Sequence, residues 1–133
     1  MTLAAILLLA LTLAMVAVHL TSGQLLRRIW AKQAPRWLSA LNIFRFEGSY
    51  YVLLMGYVAW QRSRFLLAPL LVMAVLHIGG WMVAERRRAW LVNAGGEAAR
   101  SRILAGVQIF DLAETVVLLY IAWVLARAVL LAG

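Results

Sequence analysis

Apolar residues run through this chain in four long blocks separated by arginine-rich gaps. Blocks over about 2–26, 42–61, 65–84 and 103–130 each reach the roughly 20 residues an α-helix needs to cross a bilayer. The pattern predicts an all-α fold, an integral membrane four-helix transmembrane bundle. It uses most of the chain, so residues 1–133 are expected to form a single transmembrane domain. Short linkers make antiparallel neighbours the simplest packing, in up-down-up-down order.

The polar residues mark the block ends. Arg27 and Arg28 are expected to end the first helix, and its lack of a basic leading segment reads as a retained helix and not a cleaved signal. A connector over 29–41 follows. Its Trp30 and Trp37 suit the membrane interface, and its Pro35 argues against continuous helix. Trp60-Gln61-Arg62 marks the far interface, and Pro69 falls in the first turns of the third helix, where a missing N–H does least harm. Glu85 and Arg86, Arg87 and Arg88 stop the third helix. Asn93-Ala94-Gly95-Gly96 signals a turn before the fourth, in which Arg127 can snorkel to the outer interface.

Within the blocks the ionisable residues are few, and they share a depth. His19 lies eight positions before Arg27, His77 nine before Arg86, and Asp111 nine after Arg102. At about 1.5 Å per helical residue, all three sit roughly 12 to 14 Å inside the basic collar. Glu114 is one turn deeper; Glu47 is shallower, near Arg45. Residues three or four apart share a helix face, which defines three stripes of small or polar residues. Thr12, Met15, His19, Ser22 and Gly23 form the first, Met73, His77, Gly80 and Ala84 the second, and Gln108, Asp111, Glu114 and Thr115 the third. Glu47 shares a face with Tyr50 and Tyr51, whose hydroxyls are suited to donate to it. A charge near a helix centre costs about 2.5 to 3.5 kcal/mol on insertion, against about 0.3 to 0.6 returned by each Leu, Ile or Val. The fourth helix still inserts, but Asp111 and Glu114 must face the bundle interior and pair, protonate or hold a cation.

Composition agrees with a membrane class: 65% of residues are hydrophobic and mean hydropathy is +0.89. The net charge of +8 reflects topology and lipid contact instead of nucleic-acid binding. Lys and Arg crowd the first and third gaps, while only Arg62 and Arg64 occupy the second. That asymmetry places both termini outside (N-out, C-out) in a multi-pass protein of a bacterial-type inner (plasma) membrane, with Arg27, Arg28, Arg86, Arg87 and Arg88 meeting anionic lipid headgroups. No cysteine is present, which excludes disulfides, thiolate ligands and a cysteine nucleophile.

Four roles compete for the polar cluster of His19, Glu47, His77, Asp111 and Glu114. The commonest fate of such residues is helix gluing, with Arg45 pairing Glu47. In that case the protein is an accessory, assembly or stabilising subunit, docked on other membrane subunits or on copies of itself. The alternatives use the chemistry. His19, His77, Asp111 and Glu114 are a reasonable donor set for a divalent metal, although no HExxH or ExxH spacing sharpens it. Mid-depth imidazoles and carboxylates suit a proton-coupled transporter or relay. A haem b held between His19 and His77 is the third, with cytoplasmic arginines meeting its propionates. No catalytic residue is assigned. Gly95-Gly96-Glu97 lacks the strand and lysine of a phosphate loop, and there is no nucleophile elbow.

Overall fold

A computed structural model describes residues 2–35, 37–61, 67–86 and 96–131. The described residues contain four α-helices and no strand: α1 Thr2–Trp30, α2 Ala40–Trp60, α3 Leu67–Arg86 and α4 Glu97–Leu130. Of these, α1 and α4 are long and apolar enough to cross a membrane. Arg36, Arg62, Arg64, Arg87 and Arg88, the link between α2 and α3, and residues 93–95 of the expected turn lie outside the described residues.

Two helix ends differ from the sequence expectation. Arg27 and Arg28 do not stop α1; they fall within its last turn, where cations face the negative end of the helix dipole. The stop comes at Lys32, whose φ of 56° is left-handed. Its N–H bonds Ile29 O at 3.1 Å and the Gln33 N–H bonds Arg28 O at 2.8 Å, the paired closure of a Schellman turn. At the other end of the chain α4 begins at Glu97, six residues before the expected 103. Its first turn carries the Glu97 carboxylate, favourable at a helix N-terminus. Between α1 and α2, Ser39 caps α2 by accepting from the Asn42 N–H at 3.2 Å.

Packing follows the stripes. Ala5, Leu8, Thr12, Met15, His19 and Gly23 are buried on α1 at three- and four-residue steps, and Asp111, Glu114, Thr115, Leu118, Ile121, Ala122 and Leu125 on α4. α1 packs mainly on α4 and α2 mainly on α3, with a smaller α1–α2 contact. Two glycines permit the close approach. A Cβ at Gly23 would lie 2.8 Å from Gln108 Nε2 on α4, and one at Gly48 would lie 2.7 Å from the Trp81 ring on α3. The α2–α3 pair is also stapled at its rim, where Arg45 Nη2 reaches Glu85 Oε1 at 2.7 Å and the Trp81 indole N–H donates to the same oxygen. Arg45 therefore pairs across helices and not with Glu47.

Burial is inverted relative to a protein folded in water. Leu20, Val75 and Leu112 are 64%, 68% and 66% exposed, whereas Glu114 is 0% and both histidines 4%. The apolar core of Leu8, Met15, Leu54, Val58, Leu70, Leu118, Ile121 and Leu125 fills one half of the interior, and the polar side chains fill the other.

Candidate functional site

Each of the four helices contributes to one buried polar centre. α1 supplies His19, α2 Glu47 and Tyr51, α3 His77, and α4 Asp111 and Glu114. His19 Nδ1 lies 2.9 Å from Asp111 Oδ1, and its Nε2 is 3.3 Å from Glu114 Oε1 and 4.0 Å from Glu47 Oε1. His77 Nε2 lies 3.0 Å from the other Glu114 oxygen, Oε2. The Glu114 carboxylate thus bridges two imidazoles whose ring centres are 6.1 Å apart and nearly perpendicular.

The outer nitrogens fix the rings. A carbonyl oxygen can only accept, so the 2.8 Å contact between His77 Nδ1 and Met73 O puts the proton on Nδ1. His19 Nδ1 donates likewise to Asp111, whose backbone carbonyl in turn accepts from Thr115 Oγ1 at 2.7 Å. Both Nε2 lone pairs are therefore turned toward Glu114 when the imidazoles are neutral. Tyr51 donates its hydroxyl to Glu114 Oε1 and lays its ring 4.6 Å from that of His77.

Three buried atoms in this network lack a hydrogen-bond partner among the described residues: His19 Nε2, Asp111 Oδ2 and Glu114 Oε2. Close approach without hydrogen-bond alignment is what donors aimed at a shared point show. One ligand atom from each of His19, His77 and Glu114 lies within 4.8 Å of the others. The two imidazoles approach opposite oxygens of Glu114, at 3.3 Å from Oε1 and 3.0 Å from Oε2, each near the roughly 3.3 Å between neighbouring ligands in a tetrahedral site with bonds near 2.0 Å. Asp111 sits behind His19, in the position of a carboxylate that orients a ligating imidazole.

Charge reinforces the geometry. Three carboxylates meet two imidazoles in a region from which water is largely excluded, and Arg45, the nearest basic residue in sequence to Glu47, is engaged by Glu85. On the collar side a half-open cavity of about 290 Å³ reaches His19, Glu47, His77 and Asp111.

Several partners were not apparent in the sequence. Tyr51 serves Glu114, and Tyr50 shares a 2.9 Å hydrogen bond with Thr12, so neither hydroxyl goes to Glu47. Gln108, grouped with Asp111 by its spacing, is exposed and lies against Gly23. Arg27, Arg28 and Arg86 lie in the last turns of α1 and α3, close in sequence to Leu25 and Leu26, which line the cavity. No known protein family, curated protein or solved structure matches the chain.

Proposed function

We propose that this chain is a multi-pass membrane protein whose interior binds a first-row divalent metal ion through His19, His77 and Glu114. The carrying observation is the convergence of two imidazole Nε2 atoms on one buried carboxylate, with both Nδ1 atoms tied back by Asp111 and Met73 O. Imidazole and carboxylate together suit zinc, manganese or iron, and a carboxylate or backbone carbonyl accepting from the outer ring N–H is what commonly orients a metal-bound histidine.

Membrane residence is supported by the inverted burial and by the span length of α1 and α4. The helices pair in antiparallel order: His19 with Asp111 and Trp30 with Arg100 join α1 to α4, Thr12 with Tyr50 joins α1 to α2, and Arg45 with Glu85 joins α2 to α3. In a bacterial-type inner membrane the positive-inside rule puts the Arg27, Arg28, Arg86 and Arg100 end in the cytoplasm and both termini outside. An accessory-subunit role draws on the exposed apolar surface, which contact with acyl chains explains equally well. A proton relay would use the same five groups, with a proton in place of the metal between Nε2 and Glu114, and bound metal is the observation that separates the two readings. Haem fits poorly, because the Glu114 carboxylate occupies the space between the imidazoles that a porphyrin plane needs.

The test is elemental analysis of detergent-purified protein after growth or dialysis with zinc, manganese or iron. One metal per chain is expected, lost in His77→Ala and Glu114→Gln and kept in Arg45→Ala. A folded wild-type protein that takes up none of the three ions overturns the metal site. Topology is checked separately, because the chain has no cysteine. A cysteine placed at Trp37 should react with an impermeant maleimide only from the cytoplasmic side.

A further inference from the structure

The cavity beside the metal centre has two kinds of wall. Leu25, Ile43, Phe44, Leu76, Val107 and Phe110 make it apolar over most of its surface, while its inner end presents Glu47 and Asp111. Asp111 Oδ2 is buried without a hydrogen-bond partner, although Oδ1 of the same carboxylate is engaged by His19. Glu47 is 7% exposed, and its one neighbour at ion-pair distance among the described residues is the His19 imidazole, at 4.0 Å. Among the described residues, no lysine or arginine lines the space.

A buried carboxylate on a cavity wall that carries no cationic side chain calls for a ligand that brings both a positive charge and an N–H donor. The walls call for an apolar body, and two phenylalanine rings add favourable contact for a cation. We propose that this cavity binds a small organic cation, an arylalkyl- or alkylammonium, with its ammonium against the Glu47 carboxylate at the end where Asp111 adds negative charge, and its hydrocarbon part among the apolar side chains. The volume of about 290 Å³ lies at the lower end of ligand sites, which selects a one-ring body. Glu47 lies outside the His19, His77 and Glu114 donor set, and His19 and His77 border the same cavity, so the ammonium site adjoins the metal centre without using its ligand atoms.

Isothermal titration of the detergent-solubilised full chain with phenethylammonium tests the assignment, with uncharged 2-phenylethanol as the control of the same size. Saturable binding of the ammonium is expected, with the alcohol and the Glu47→Gln variant each weaker by about tenfold or more, the weight of one charge-assisted contact. Gly106 lines the cavity, and a Cβ built there meets nothing within 4 Å, so Gly106→Leu is the variant chosen to narrow the space, its fold checked by thermal unfolding. That variant should lose the ammonium and keep its metal content. Equal binding of amine and alcohol, undiminished binding in folded Gly106→Leu, or no saturation at millimolar ammonium overturns the proposal. Loss of metal with retained ammonium binding counts against the metal centre alone.

Discussion

Replacing Asp111 with asparagine keeps the side-chain shape but removes the negative charge behind His19. The carboxylate accepts from His19 Nδ1 at 2.9 Å and sits with 6% of its residue surface exposed, so the contact is charge-assisted and poorly screened. Such a hydrogen bond is worth about 1.5 to 3 kcal/mol. Outer carboxylates behind metal-bound histidines typically govern about 10- to 100-fold in metal affinity, which is about 1.4 to 2.7 kcal/mol. The two routes to the magnitude agree. Asp111→Asn should therefore weaken zinc binding by about 10- to 100-fold, while His19→Ala, which removes a ligand outright, should weaken it further. Competition against a chromophoric chelator in detergent measures both, with thermal unfolding of the metal-free proteins run alongside to separate affinity from folding. Unchanged affinity in Asp111→Asn refutes the orienting role. Loss equal to that of His19→Ala refutes it differently, by making Asp111 a ligand.

Glycines of α2 and α3 give predictions of opposite sign. Gly48→Ala puts a methyl 2.7 Å from a Trp81 ring tethered to Glu85 and should destabilise by about 1 to 3 kcal/mol. Gly79→Ala, with open space at its Cβ, should stabilise by up to about 1 kcal/mol, both read from thermal unfolding in detergent. Lys32→Gly relieves the left-handed backbone that closes α1 and should raise stability by up to about 1 kcal/mol; a lower midpoint would show that the Schellman turn does not persist in solution. Arg45→Ala breaks a pair whose arginine side chain is 44% exposed, so the cost should stay within about 1 kcal/mol and metal content should not change.

Much of the centre was legible because helical rise is constant. Counting inward from Arg27, Arg86 and Arg102 places His19, His77 and Asp111 at one level, and those residues sit together with Glu47 and Glu114 in the structure. Rotation about each helix axis is not encoded in that count. It decides that Tyr51 faces Glu114 and Tyr50 faces Thr12, and that Asp111 lies behind His19 instead of beside Glu114. Spacing alone also favoured the local pair of Arg45 with Glu47, two positions apart. Such residues diverge on a helix by about half a turn, which leaves Arg45 free to reach Glu85. The end of α1 was missed for a different reason. A left-handed closing residue is usually glycine, and here a lysine takes the place.

The pairing of α1 with α4 and of α2 with α3 has a consequence for biosynthesis. Chains emerge from the ribosome N-terminus first, so the α2–α3 hairpin can close while the fourth helix is still being made. His77 is then already oriented, because its anchor, the Met73 carbonyl, belongs to its own helix. His19 has no such local anchor; its Asp111 partner is 92 residues away and arrives last. Until then the earliest helix must wait beside an inner hairpin with its imidazole unclaimed. A stalled or truncated product lacking the final segment would carry half a centre, ready in one histidine and adrift in the other.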